Sequence, residues 1–319
     1  MNQKKAVLYL ALPGLFFLLP LFLNTYWVDV LNSIGIYSVL ALSLNLIVGQ
    51  AGLFNLGHAA FYATGAYTAA ILNTQFHIPV LWLLPLCGFT SGLFALLIAR
   101  PIIHLRGDYL CIVTIGVGEI VRIALINNVF GITGGANGIF GISRPSLFGV
   151  VLRTPNHFFY LIWIFVCVTI ILFHFLNYSR VGRALNYLRE DEIAAEGNGI
   201  NTAYYKLAAF VVGAAWAGMV GNIYAAKMTI ISPESFSFWE SVLMFAIVIL
   251  GGSGSIPGVL LGSFLIVGLP EVFREFANAR MLVFGAAMVV MMIFRTQGLL
   301  PPKPRTYDLS GTLEGEGRG

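Results

Sequence analysis

The amino-acid sequence predicts an all-α fold, a polytopic bundle of about eight to ten membrane-spanning helices. Apolar residues make up 58% of the 319 positions and charged residues only 10%, and the mean hydropathy is +0.85. Soluble domains are about 45–50% apolar and about 25% charged, so this chain lacks the polar surface that water requires. Helices are expected because lipid offers no hydrogen-bond partner to an open backbone.

The chain contains a series of apolar runs. A membrane span takes roughly 20 apolar residues, and each run is long enough, or nearly long enough, to cross a bilayer. They predict one membrane domain over residues 1–305. Residues 306–319 are polar and glycine-rich, a composition typical of a disordered tail. The runs are 7–23, 28–48, 53–72, 80–99, 109–126, 158–176, 205–226, 241–254, 256–269 and 281–295.

Basic residues in the connections predict the orientation, because lysine and arginine accumulate on the cytoplasmic side of short loops. Lys4 and Lys5 place the N-terminus in the cytoplasm. Counting spans from there, the basic segments 100–108 and 177–204 also fall in the cytoplasm, and 127–157 falls outside.

The stretch 240–271 admits two arrangements. It is long for one span, and Gly-Gly-Ser-Gly-Ser-Ile-Pro interrupts it at 251–257. One long helix would place Arg295, Lys303 and the C-terminus outside, whereas a hairpin of two short helices would place them in the cytoplasm. The charge rule favours the hairpin and ten spans.

Small residues recur at four-residue spacing in two apolar runs. Such spacing lets helix backbones approach closely in lipid. It serves either packing within the bundle, which we favour, or contact with a second subunit. The runs are Gly254, Gly258, Gly262 and Gly213, Ala217, Gly221.

Charge concentrates in one segment, 180–196, where seven charges fall in 17 residues. Its first half places four apolar residues on one helical stripe, and Asp191 is placed to cap a second helix over 192–196. This predicts a helix–break–helix loop with an exposed apolar stripe, the form of a docking surface. A solvated connector with ion pairs between neighbouring turns is the alternative. The stripe consists of Val181, Ala184, Leu185 and Leu188.

Part of this loop resembles the "EAA" loop of ABC-importer permeases. It reads Glu192-Ile-Ala-Ala-Glu-Gly-Asn-Gly199, and Ile193 stands where that motif has its acidic residue. Other segments extend the resemblance, among them Gly-Gln-Ala-Gly-Leu-Phe-Asn-Leu-Gly-His at 49–58 and Thr-Gly-Gly-Ala-Asn-Gly-Ile at 133–139. Together they are similar to the LivM-type permeases of branched-chain amino acid ABC importers, over about residues 30–300. The remaining matching segments are 59–68, 106–122, 232–238 and 250–258.

The resemblance implies a multi-pass permease subunit of a bacterial inner membrane that imports leucine, isoleucine or valine by alternating access. It implies several partners: a second, LivH-type permease, two cytoplasmic ATPases and an extracytoplasmic binding protein. ATP and Mg would be bound by the ATPases, because this chain has no Gly-Lys dipeptide and therefore no Walker A motif. No cofactor, nucleic acid or enzymatic activity is expected in this chain.

Three other functions were weighed. Urea or short amides are alternative substrates, because a related permease branch carries them. A secondary transporter would leave the helix–break–helix loop without a role. A membrane-embedded enzyme acting on lipid is disfavoured, because the acids at 190–192 form one run without a metal-binding pattern.

The resemblance nominates residues for the ATPase-coupling loop, about 177–204, and for an outer contact with the binding protein at the glycine loop, which is otherwise a plain turn. The coupling candidates are Arg183, Arg189, Glu192, Ala194, Ala195 and Gly199. The binding-protein candidates are Thr133, Gly134, Gly135 and Asn137.

Polar side chains within the spans are candidates for the translocation path, because such groups in lipid are costly and usually functional. Glu119 and Arg122 lie three residues apart on one helix face, and a structural ion pair is favoured over a gate. Cross-helix hydrogen bonding is the alternative for Gln50 and Asn55. No metal site is expected, since His58 has no second ligand at suitable spacing. The remaining path candidates are Asn45, Gln50, Asn55 and His58.

Overall fold

The computed structural model describes residues 16–105, 107–147 and 150–273, together with 285, 289, 293, 295 and 298–301. Several predictions lie outside the described residues. They are most of the first span 7–23 with Lys4 and Lys5, Arg106, most of the span 281–295, Lys303, and the tail 306–319.

Helices dominate the described ranges, which confirms the predicted all-α membrane bundle. Within the part of the chain that the structure describes, six segments are long and apolar enough to cross a membrane. The helices are α1 (Thr25–Asn45, continued by a π-helix Leu46–Gln50), α2 (His58–Phe76), α3 (Leu84–Ile102), α4 (Asp108–Ile126), α5 (Pro155–Tyr178), α6 (Arg180–Glu190), α7 (Glu192–Gly197), α8 (Thr202–Met228), α9 (Phe238–Gly251), α10 (Ile256–Ser263, continued by a π-helix Phe264–Gly268) and α11 (Leu269–Val272). The strands are β1 (Ile139–Phe140), β2 (Ser146–Leu147), β3 (Val150–Val151) and β4 (Ile230–Ile231).

Helix α2 lies inside the bundle, packed against α3 and α8. It is not among the six apolar segments, yet most of its residues are buried. Protein rather than lipid surrounds it, so its threonines, tyrosines and asparagine are tolerated. Gly65 meets the backbone of Gly218 on α8, and a side chain at either position would strike the other helix or α3.

Helices α9 and α10 form an antiparallel hairpin, the arrangement that the charge rule favours. Gly258 packs against the carbonyl of Gly251, and Gly262 packs against the carbonyl of Ile247. Residues further from the turn on one helix therefore contact residues further from the turn on the other, as in an antiparallel pair. The turn includes Gly252 at φ +118° and Gly254 at φ +89°. Positive φ at both positions is accessible mainly to glycine.

The hairpin turn, the end of α1, the charged loop and residues 298–301 gather at one end of the bundle, which we call the loop end. The Gly254 N–H donates to Asn45 Oδ1 over 2.8 Å, and Arg189 donates to the Gly49 carbonyl. The Leu299 and Leu300 N–H groups donate to carbonyls 250 and 251 over 2.9 and 3.1 Å. The opposite end, which carries β1 to β4, is the strand end.

The glycine runs pack within the bundle, as favoured from the sequence. A side chain at Gly213 would lie 2.9 Å from the Ser43 carbonyl of α1, and Gly221 packs against the backbone of Tyr62 on α2. Close helix approach inside this chain therefore explains the spacing.

We expect the loop end to face the cytoplasm. A reporter active only outside the cytoplasm should be active when fused after Asn137 at the strand end. It should be inactive when fused after Asn198 or after Pro301. Activity at Pro301 together with inactivity at Asn198 would contradict the hairpin, because both residues lie at the same end of the bundle.

Candidate functional site: the coupling loop and the membrane interior

The charged loop folds as two short helices whose ends are capped by side chains. Asp191 Oδ1 accepts from the Ile193 and Ala194 N–H groups over 2.9 and 3.0 Å. Asn201 caps α8 through the Tyr204 N–H, and Gly199, at φ +77°, makes the turn between them. The predicted helix–break–helix form is confirmed.

The predicted exposure of the apolar stripe is wrong. Ala184, Leu185 and Leu188 are buried, because α6 packs against α5, α8 and the π-helix that ends α1. The large apolar side chains that α6 and α7 expose are Ile193, with 71% of its surface accessible, and Tyr187, with 49%. Sequence reasoning missed both, although an isoleucine replacing the motif's acidic residue was the available signal.

Three of the loop's polar side chains bond to the ends of transmembrane helices. Arg189 donates to the Gly49 carbonyl at the end of α1. Glu192 pairs with Lys206 of α8, whose side chain is only 4% accessible. Glu196 accepts from the Thr202 hydroxyl over 2.7 Å. These contacts join the loop mechanically to α1 and α8.

The remaining coupling candidates divide by exposure. Arg183, Ala194 and Gly199 are exposed, whereas Ala195 is buried. Arg183 donates to the Tyr178 carbonyl over 3.0 Å. An open cavity of about 540 Å³ adjoins the loop, between its second helix and the end of α3. Its polar lining includes His104, Glu192, Glu196, Asn201, Thr202 and Lys206.

Four path candidates cluster at the junction of α1 and α2, where all are buried. Asn45 is bonded to the hairpin turn, and His58 Nε2 lies 2.8 Å from the Ser43 hydroxyl. Asn55 Oδ1 accepts from the Gly57 N–H over 2.9 Å. Within the described part of the chain, Gln50 Oε1 and Asn55 Nδ2 have no hydrogen-bond partner. Their place in the translocation path stays a prediction.

Glu119 and Arg122 form the predicted ion pair, with Arg122 Nη2 3.0 Å from Glu119 Oε2. A third member, Glu234, lies 3.2 Å from Arg122 Nη1. The cluster ties α4 to the 3-10 turn Pro233–Phe236. Glu234 is 112 positions from Arg122 along the chain, so no local pattern in the sequence indicates this contact.

The glycine loop at the strand end is a braced turn. Asn128 Oδ1 accepts from the Thr133 and Gly134 N–H groups over 2.9 and 3.0 Å. The Thr133 hydroxyl turns inward to the Leu125 carbonyl, whereas Gly134 and Asn137 are exposed and Gly135 is half-buried. The pairing of β1 with β4 continues the turn. The surface that it presents is therefore Gly134 to Asn137.

Two further sites with ionisable side chains were not predicted from the sequence. Lys227 of α8 lies 2.9 Å from Asp29 of α1 near the strand end. Glu240, in the first turn of α9, accepts from the Tyr37 hydroxyl of α1 over 2.7 Å. An acid inside an apolar run is a visible signal, but its tyrosine partner lies 203 positions away.

The helical bundle and the capped, anchored loop define a multi-pass membrane protein whose loop is attached to its transmembrane helices. The chain belongs to the family of branched-chain amino acid transport system permease components, whose match covers residues 26–292. This confirms the resemblance that the motifs indicate.

Relatives of known name agree with the family. The high-affinity branched-chain amino acid transport system permease protein LivM of Salmonella typhimurium is 42% identical over 321 residues, covering 93% of this chain and 75% of the relative. LivM of Escherichia coli K12 is 41% identical over the same shares. The permease protein LivH of Escherichia coli K12 is 27% identical, covering 83% of this chain and 91% of the relative. No solved structure matches.

Proposed function

We propose that this chain is the LivM-like permease subunit of an ABC importer and forms part of the translocation path for leucine, isoleucine and valine. The observation that carries the proposal is the 41–42% identity to LivM proteins across 93% of the chain. The path changes its accessible side as partner ATPases bind and hydrolyse ATP.

The loop is the contact with those ATPases. Ile193 and Tyr187 supply exposed apolar surface, and burial of apolar surface drives most protein association. Arg189 and Glu192 transmit the motion, because they bond the loop to α1 and α8. ATP and Mg belong to the ATPase subunits.

The other partners are a LivH-type permease and an extracytoplasmic binding protein. Similarity of this chain to LivH over 83% of its length supports a pair of permeases with related folds. The exposed part of the glycine loop, Gly134 to Asn137, lies at the strand end, away from the coupling loop. There it provides contact surface for the binding protein.

Uptake of labelled leucine by cells with and without the gene tests this function. We expect deletion to remove a saturable leucine component that isoleucine and valine block and urea does not. Restoration of the gene is the control. Unchanged leucine uptake in the deletion strain would contradict the assignment of leucine as a substrate. Competition by urea alone would favour urea or a short amide as the substrate.

A further inference from the structure

Glu240 lies at mid-depth in the bundle rather than at either end. Its partner Tyr37 is twelve residues after Thr25 and thirteen before Gln50, the two ends of the span that α1 and its π-helix form. The next residue, Ser241, accepts from the Ala59 N–H in the first turn of α2 over 2.9 Å. Helix α9 thus begins within the membrane-spanning region.

The carboxylate of Glu240 points away from its own helix. Ser-Phe-Trp-Glu at 237–240 matches a capping box, in which the serine and glutamate side chains both bond to the helix start. The Ser237 side chain makes no such bond here, and Glu240 Oε2 bonds to Tyr37 of α1 instead. The local pattern is overridden in favour of a contact between helices.

Glu240 differs from the acids that form ion pairs. Asp29, Glu119 and Glu192 each contact a lysine or an arginine. Among the described residues, no cationic side chain lies within ion-pairing distance of Glu240, whose recorded partner is a neutral hydroxyl. A carboxylate at this depth is costly without a counter-charge. Glu240 and Tyr37 are only half-buried, so part of each side chain is accessible.

Aromatic rings pack at the start of α9. Phe236, four residues before Glu240, lies 5.0 Å from Tyr62 of α2 and 6.1 Å from Tyr224 of α8, and these two tyrosine rings are 5.4 Å apart, measured between ring centroids. The Tyr37 ring carries the hydroxyl that bonds to the carboxylate. A carboxylate beside an aromatic ring and without a cationic partner suits an organic ammonium group, which gains both an ion pair and a cation–π contact.

We propose that Glu240, oriented by Tyr37, is a binding site for the α-ammonium group of the amino acid in transit. The inference rests on the proposed function and assigns a substrate contact within it. The ammonium loses water as it enters the bundle, and the fixed carboxylate offsets that loss. A neutral amide such as urea would gain no ion pair there.

Glu240→Gln in the complete transporter, reconstituted with its binding protein, tests this site. We expect leucine import to fall about tenfold or more, with unchanged apparent KM, because the binding protein sets the capture step. The melting temperature of the permease and the ATPase activity that the binding protein stimulates should persist. Tyr37→Phe, which leaves the carboxylate in place, should reduce import less.

Glu271→Gln is the matched control, because Glu271 also accepts from a tyrosine, Tyr26, but near the end of its helical segment. It should import leucine normally. Unchanged import by the Glu240 variant would overturn the site, and so would a loss of import that accompanies a lower melting temperature. In either case, leucine import by the wild-type transporter would leave the proposed function intact. Absence of leucine import by the wild-type transporter would instead reject the proposed function.

Discussion

Replacing Ile193 with aspartate is expected to abolish most leucine uptake while leaving the amount of permease in the membrane unchanged. Ile193 is the most exposed large apolar side chain of the loop, and it faces away from the buried Ala195. Burying such a side chain contributes about 1.5–3 kcal/mol, so its loss weakens docking roughly tenfold to a hundredfold. An aspartate adds the cost of burying an unpaired charge.

Two measurements check this expectation: leucine uptake in cells and retention of the ATPase subunits when the permease is purified. Ile193→Val is the matched control, because it keeps the apolar surface apart from one methylene and should transport nearly normally. Full uptake and full ATPase retention by the aspartate variant would show that α7 is not the docking element.

Replacing Gly65 with leucine is expected to eliminate most of the folded permease. A side chain at this position would strike the Gly218 backbone, where α2 and α8 cross in contact. Overpacking a close-packed interior costs about 1–3 kcal/mol, and more when backbones must separate. Stability margins are small enough that such a loss depletes the native state.

The amount of permease in membranes and its melting temperature in detergent measure this effect. Gly116→Leu is the control, because a side chain at that position on α4 meets no atom within 4 Å. It should accumulate like the wild type, since leucine also favours helix more than glycine does. If the two variants accumulate equally, α2 and α8 do not cross in close contact at Gly65.

Local and compositional signals predicted much of the molecule. The cap at Asp191 was predicted, because a cap depends on a few adjacent residues. The hairpin of α9 and α10 followed from glycine, proline and charge placement. The family followed from motifs in the correct order, and the family match agrees.

The local sequence pattern could not predict which face of a helix is buried or which distant residue a side chain contacts. The stripe of α6 was expected in solvent, but it is buried because three other elements meet it. Glu234 completes the Glu119–Arg122 pair from a different segment, and α2 contains polar residues because other helices shield it from lipid.

By itself, the sequence determined a helical membrane bundle with a two-helix loop, because periodicity, capping and composition act over a few turns. The permease family followed from the resemblance of its motifs, which the family match confirms. Only the tertiary structure decided which loop side chains are exposed and that Arg189 and Glu192 anchor the loop to α1 and α8. It also decided that Glu240 meets Tyr37 inside the bundle. The contacts of Arg189 with Gly49 and of Glu240 with Tyr37 join residues 140 and 203 positions apart. Such contacts depend on how helices cross, which no local pattern specifies.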